Sequence, residues 1–319
     1  MRAIVTGGGG FLGLRLAEAL LADARVERVI LSDVADFGPV SGGGRVEIRK
    51  GNLTDAAGTA ALAAEADVIF HLAAVVSGQA EADFDLGMRV NLDGTRGLLE
   101  AARAAGRRPV FVFASSLAVF GPPIPDRVTD DTPVRPQSSY GTQKALGELL
   151  VSDFSRKGFV DGRVLRLPTV CVRPGQPNAA ASSFVSGIIR EPLRGERAVC
   201  PVDRSLELWL TSPGAAVRNL ARAAMLPAES LGSNRIVNLP GITVSVDQML
   251  AALERVGGPR LASLVSFAHD PAVDRIVSSW PSRFDVARAV SLGFERDDAF
   301  DSLVRQHVDE RAASAIRPS

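Results

Sequence analysis

Short apolar runs alternate with longer amphipathic stretches through the first half of this 319-residue chain. The apolar runs predict strands over residues 3–6, 28–32, 46–50, 68–72, 110–114 and 162–167. Between them, apolar positions recur at the spacing of one helix face and predict helices over 11–22, 55–64, 83–105 and 140–157. Strands separated by such helices build βαβ units around a parallel sheet. The right-handed crossover then makes a doubly wound α/β sheet the economical arrangement. Five prolines between Gly121 and Pro136 break any helix there and predict a loop.

The rhythm changes after Leu167. Pro168, Pro174, Pro177 and Pro192 punctuate shorter elements. Helices are predicted over 182–190, 213–226 and 245–255, with a short strand over 235–239. Residues 1–167 therefore form one domain. Residues 168–310 are expected to be mainly a smaller substrate lobe over the carboxyl edge of the sheet, with some segments returning to the first domain. Residues 311–319 are expected to fray.

Composition narrows the function classes. A 46% hydrophobic content is ample for a core, and the formal net charge is zero with arginines scattered along the chain. Nucleic-acid binding needs a basic stripe, and none is visible. Two cysteines, Cys171 and Cys200, make no disulfide framework. His71, His269 and His307 lack ligand spacing with either of them, so no metal site is expected. No apolar run approaches the ~18 residues of a membrane span. The first residues read directly as a strand and leave no room for a signal peptide. The expectation is a soluble, cytoplasmic protein that binds neither membrane nor nucleic acid.

Candidate chemistry lies at two places. The first strand runs into Thr6-Gly7-Gly8-Gly9-Gly10-Phe11-Leu12-Gly13 and then a helix. Glycines in that context allow a tight turn at Gly7, backbone approach to a pyrophosphate at Gly10 and close packing at Gly13. The helix start supplies free N–H groups for phosphates. Asp33 closes the second strand, where an acid accepts from ribose hydroxyls and repels a 2′-phosphate, which favours NAD over NADP. The second place is Tyr140 and Lys144. The chain has one tyrosine and only three lysines, and these two stand four residues apart on a predicted helix. An ammonium beside a phenol lowers its pKa and makes it a usable base for an alcohol proton.

With these features in register, the chain resembles the extended short-chain dehydrogenase/reductase superfamily of epimerase/dehydratase type, which has a Rossmann fold. The resemblance rests on Thr6–Gly13, Gly51–Asp55, His71–Ala74, Val90–Thr95, Ser115–Gly121 and Tyr140–Lys144. It implies a catalytic set of Ser116, Tyr140 and Lys144. It implies an NAD site built from Gly7, Gly10, Phe11, Leu12, Gly13, Asp33, Asn52, Leu53, Leu72, Ala73, Ala74, Tyr140, Lys144 and Pro168. Asn52 and Leu53 would flank the adenine, Asn91 would steady the backbone of the site, and Ser115 is the runner-up to Ser116. Many relatives form homodimers through the helices predicted here at 83–105 and 140–157.

The segment after the sixth strand discriminates among reactions. Nucleotide-sugar epimerases of this superfamily tend to carry an Asn there, and Arg166–Asn178 lacks it. The segment, continued through Leu193, resembles the branch that oxidises the four-carbon sugar acid D-erythronate at C2 with NAD, giving 2-oxo-D-erythronate. Arg173 is the candidate carboxylate clamp. Ser77, Asn178, Ser182 and Ser183 are candidates for substrate hydroxyls, with Ser116 and Tyr140 at the reacting oxygen, and Trp209 is a candidate to close the pocket. Two alternatives remain open: a nucleotide-sugar 4-epimerase with tightly bound NAD, and an NAD-sensing regulator without catalysis. Such sensors usually lose the Tyr or the Lys, and this chain keeps both.

Overall fold

A computed structural model describes residues 1–316. The strands in chain order are β1 (Arg2–Thr6), β2 (Arg28–Asp33), β3 (Val46–Lys50), β4 (Val68–His71), β5 (Val110–Ser116), β6 (Asp161–Leu167), β7 (Thr169–Val170), β8 (Ala198–Cys200), β9 (Glu207–Thr211), β10 (Ile236–Asn238), β11 (Ile242–Ser245) and β12 (Val265–Phe267). Seven of them form one parallel sheet in the order β10-β6-β5-β4-β1-β2-β3.

Period-two alternation feeds two cores from this sheet. Ala3, Val5, Val29, Leu31, Val68 and Phe70 face the helices Phe11–Leu21 and Pro213–Met225, through Leu16, Leu20 and Leu220. Ile4, Ile30, Ile69, Phe111 and Phe113 face the opposite way, onto Leu62, Leu98 and Val151 of three other helices. Strands buried on both faces are what a doubly wound sheet requires. Residues 213–225 and β10 thus return to the first domain, inside the stretch predicted mainly as the lobe.

The smaller lobe has its own core around Val185, Ile188, Leu210, Met249 and Leu253. β9 pairs antiparallel with β11 and parallel with β7, and β8 pairs with β12. The helix Phe300–Ile316 carries through residues 311–316, where fraying was expected; residues 317–319 lie outside the described residues. Arg15 on the helix after the glycine turn donates to both carboxylate oxygens of Glu310, at 2.6 and 2.5 Å, and so ties this last helix to the first. Among the described residues no helix is long and apolar enough to cross a membrane, and no group of three or more acidic, Cys or His side chains is placed to hold a metal ion.

The helix predicted over 83–105 is interrupted. It runs as Phe84–Gly87, a π-helical turn Met88–Asp93, and Gly94–Ala105. The wider turn carries Asn91, whose Oδ1 accepts from Val75 N–H at 2.7 Å. Its Nδ2 donates to Val75 O at 3.0 Å and to Gln143 Oε1 at 2.7 Å. Asn91 thereby pins the loop after β4 to the helix Ser139–Arg156, in keeping with the expected steadying part. Buried amide bonds of this kind are expensive to leave unmade. Asn91→Ala should lower unfolding stability by about 2 kcal/mol or more, read as a lower urea midpoint with an unchanged slope.

Candidate active site

All carboxyl ends of the large sheet meet at one edge, and a cleft of about 470 Å³ opens there. The turn after β1 forms one wall. Gly7 has φ of +70°, and a Cβ on it would stand 2.7 Å from the backbone nitrogen of Ala73. Only glycine fits that position. Gly10, Phe11, Leu12, Gly13, Leu72, Ala74 and Pro168 line the same cleft. Ala73 backs the turn from behind. Asp33, Asn52 and Leu53 stand away from the cleft wall, near the carboxyl ends of β2 and β3. The Asp33 carboxylate accepts from the Gly9 and Ala35 N–H groups at 3.0 and 3.1 Å, which fixes its direction. Asn52 Oδ1 accepts from Thr54 N–H at 3.0 Å and shapes a turn, while Leu53 packs against the sheet helices.

This cradle fits a dinucleotide. Its glycine backbone is bare where a side chain would clash, and it opens the helix Phe11–Leu21, whose first residues line the cleft. Beneath it, His71 is fully buried between Thr6 Oγ1 at 2.7 Å and Thr95 Oγ1 at 2.9 Å. Thr95 donates to Asn91 O at 2.7 Å, so it accepts from His71, and His71 accepts from Thr6. Burial pushes the His71 pKa down to about 3, so the ring stays neutral and structural.

The opposite wall carries Ser116, Tyr140 and Lys144, the expected catalytic set. Ser138 caps the helix Ser139–Arg156 by accepting from Gly141 N–H at 3.2 Å. A Cβ on Gly141 would lie 2.1 Å from Ala118 O, so only glycine lets this helix approach the end of β5. That approach brings Tyr140 to Ser116. Ser116 accepts from Ala118 N–H at 3.1 Å, and its hydroxyl lies near enough to the phenol to favour the ionised form. Ser115, its rival, donates instead to the buried carboxylate of Glu148 at 2.5 Å.

One expectation changes here. Burial pushes the Tyr140 pKa above its ordinary value, and the groups that oppose this are the Arg173 guanidinium and the Ser116 hydroxyl rather than Lys144. The reason is geometric. Lys144 Nζ turns to donate to Ala114 O at 2.8 Å and sits 4.8 Å from the Phe113 ring centroid, against 5.7 Å from that of Tyr140. Burial lowers the Lys144 pKa to about 8, with Glu148 working against it.

Arg173 reaches the cleft from the loop after β7. It donates to Val170 O at 3.1 Å and Ser182 Oγ at 3.3 Å, lies over the Phe11 ring, and makes no ion pair among the described residues. Of the candidate hydroxyl binders, Ser77, Asn178 and Ser182 line the cleft and Ser183 does not. Their polar atoms also hold the loop itself. Ser77 Oγ accepts from Ala181 N–H, Ser183 Oγ from Asn178 N–H, and Asn178 Oδ1 from Ala180 N–H, all at 3.0–3.1 Å. Trp209 does not close the pocket. It is buried, stacked on Phe284 at 5.1 Å, and Trp280 lines the cleft in its place. The sequence offered no signal for Trp280 beyond an aromatic beside a proline.

A glycine cradle and a Ser–Tyr–Lys set line one cleft, with an acid at the end of β2 beyond it, as expected of a nicotinamide-dependent enzyme. The chain belongs to the NAD dependent epimerase/dehydratase family, which matches residues 3–226. It is an NAD-dependent oxidoreductase. Over 97% of its length it is 51% identical to D-erythronate dehydrogenase of Cupriavidus necator, covering 98% of that protein. Among solved structures it is similar to a nucleoside-diphosphate-sugar epimerase from Agrobacterium tumefaciens (TM-score 0.92, 41% identity, 98% of this chain and 95% of that one). It is also similar to L-threonine 3-dehydrogenase from Trypanosoma brucei (TM-score 0.87, 27% identity, 97% and 96%). Asp33→Ser should raise kcat/KM for NADP relative to NAD by about tenfold, measured as the ratio of initial rates with the two cofactors.

Proposed function

We propose that this protein oxidises D-erythronate at C2 to 2-oxo-D-erythronate. The observation that carries the reading is the charge of the cleft. Its wall includes two cations, Lys144 and the unpaired Arg173, and no Asp or Glu. A small acid finds a counter-charge there, and its hydroxyls find Ser116 and Tyr140. An amino acid such as threonine brings an ammonium that finds no carboxylate, and leaving a charge unpaired in such a site is costly. The likeness to D-erythronate dehydrogenase over nearly the whole of both chains supports the same substrate.

In this mechanism Arg173 clamps the substrate carboxylate with charge-assisted bonds. Tyr140 takes the C2 hydroxyl proton in its ionised form, which Arg173 and Ser116 favour against burial. Ser116 donates to the reacting oxygen and steadies its charge. Lys144 turns a further N–H toward the nicotinamide ribose, and Pro168 orients the ring face. Gly7, Gly10, Gly13 and the helix start hold the pyrophosphate, Asp33 the adenosine ribose, and Asn52 and Leu53 flank the adenine. Bound NAD supplies the acceptor for the C2 hydride. The similarity to a nucleoside-diphosphate-sugar epimerase supports a second reading, epimerisation with no net change in NAD. The missing Asn after β6 speaks against it.

The test is NADH formation with NAD and a panel of four-carbon sugar acids, L-threonine and UDP-glucose. D-Erythronate should give steady NADH release and the other two none. Tyr140→Phe should keep NAD affinity and lose about 10²-fold or more of turnover. Arg173→Ala should raise KM for the sugar acid about 10- to 100-fold. No NADH with any sugar acid, or product from UDP-glucose, overturns the reading.

We also propose a homodimer. Phe84 and Leu149 are 58% and 63% exposed, and they lie on the two helical segments of the expected interface, with Leu146 beside Leu149. Apolar surface of that kind marks an association face. Sedimentation should give a dimer for the natural protein and a monomer for Leu149→Glu.

A further inference from the structure

The helix Ser183–Arg190 turns one face to the loop that carries Arg173. Ser182 at its N-cap, Ser186 and Arg190 follow one another at intervals of four residues and so share that face. All three bind Arg173. Ser182 Oγ accepts from Nη2 at 3.3 Å, Ser186 Oγ accepts from the backbone N–H at 3.0 Å, and Arg190 donates from Nη1 to the backbone carbonyl at 2.8 Å. Val170 O on β7 takes Nε at 3.1 Å. Both backbone polar groups of Arg173 are thus engaged. Its remaining guanidinium N–H groups make no hydrogen bond among the described residues. Ser186 and Arg190 are each 1% exposed, and neither lines the cleft. The mechanism above uses neither.

We propose that Ser186 and Arg190 are positioning residues for substrate binding: they hold the backbone of Arg173 from both sides, so that its guanidinium stands ready in the cleft for the substrate carboxylate. The inference rests on the clamp role of Arg173 proposed above. The place of Arg173 in the chain shows why a support is needed. Beyond it the loop leaves the body of the lobe, and residues 175–179 are all exposed. A long side chain at the root of such a loop has many rotamers to lose when it grips a ligand, and each one ordered on binding costs affinity. Here the ordering is done when the chain folds. The supporting helix is itself fixed, because Val185, Ile188 and Ile189 are buried in the lobe core. Arg190 does not act as a second clamp: it donates from Nη2 to Glu191 Oε1 at 2.6 Å, so its charge is met within the lobe. Its other bond is spent on Arg173.

The test compares Ser186→Ala and Arg190→Met, each alone and each combined with Arg173→Ala, by KM for D-erythronate, kcat and Kd for NAD. Each single variant should raise KM about 3- to 10-fold, with kcat and the Kd for NAD little changed. In the Arg173→Ala background the same substitutions should raise KM no further, because the group they act through is already gone. A rise of equal size in both backgrounds, or a matching loss of NAD affinity, marks a merely structural role and overturns the proposal. An unchanged KM in either single variant, while Arg173→Ala raises it, overturns it too and leaves the clamp standing. If Arg190→Met fails to fold for want of a partner to Glu191, the Ser186→Ala cycle decides alone. Should D-erythronate bind without being oxidised, its Kd for the NADH complex, measured by calorimetry, takes the place of KM in the same comparisons. Binding that Arg173→Ala does not weaken sinks the clamp reading itself, and this inference with it.

Discussion

Every strand of the large sheet runs the same way, and the rest of the molecule answers to that constraint. One direction puts all carboxyl ends on one edge. The glycine turn leaves β1 there, Ser116 ends β5 there, and Pro168 follows β6 there. Residues separated by more than a hundred positions meet without any segment having to reach far. The helices are packed on both faces because a parallel sheet buries both, and the helix starts come to the same edge as the strand ends. The lobe then has one place to settle, over the opening, and from there it delivers Arg173 and Trp280.

Much of this was legible in the chain, and the limits have physical reasons. The strands of the first half are short, apolar and separated by periodic helices, so pattern alone located them to within a residue or two. β7, β8 and β12 are two or three residues long, too short for any period to register. Ser77–Ala82 is a single short helix of six residues, too brief for an apolar period to mark it. The π-turn at Met88–Asp93 keeps a helical composition while its ladder opens. The lining of the cleft was legible where spacing is local: the glycines, Tyr140 and Lys144. It was not legible where tertiary structure decides. Spacing gave the phenol a lysine as its cation; the fold turns Lys144 onto Ala114 and brings Arg173 in from another element. The serine and asparagine candidates were chosen as hydroxyl binders, and the fold also employs them as staples of the loop that carries Arg173.

The charges of the site form a coherent set. A neutral His71 lies under the glycine turn, a buried Glu148–Arg166 pair ties the helix of Lys144 to β6, and Arg173 makes no ion pair among the described residues. A guanidinium held by carbonyl and hydroxyl oxygens alone keeps its unmet charge facing the opening. An anionic ligand satisfies a group that the folded chain leaves in want, and ligand binding stabilises the fold by the same measure.

The late return of β10 bears on how the molecule is made. Its three residues pair with Val164, Leu165 and Arg166 and become the outermost strand of the sheet. On a ribosome, six strands of that sheet are available once residue 167 has emerged, yet β6 then presents a bare row of amides and carbonyls until residue 238 follows. A chain that ended between those two points would carry the glycine turn and six strands with the outer edge of β6 unpaired.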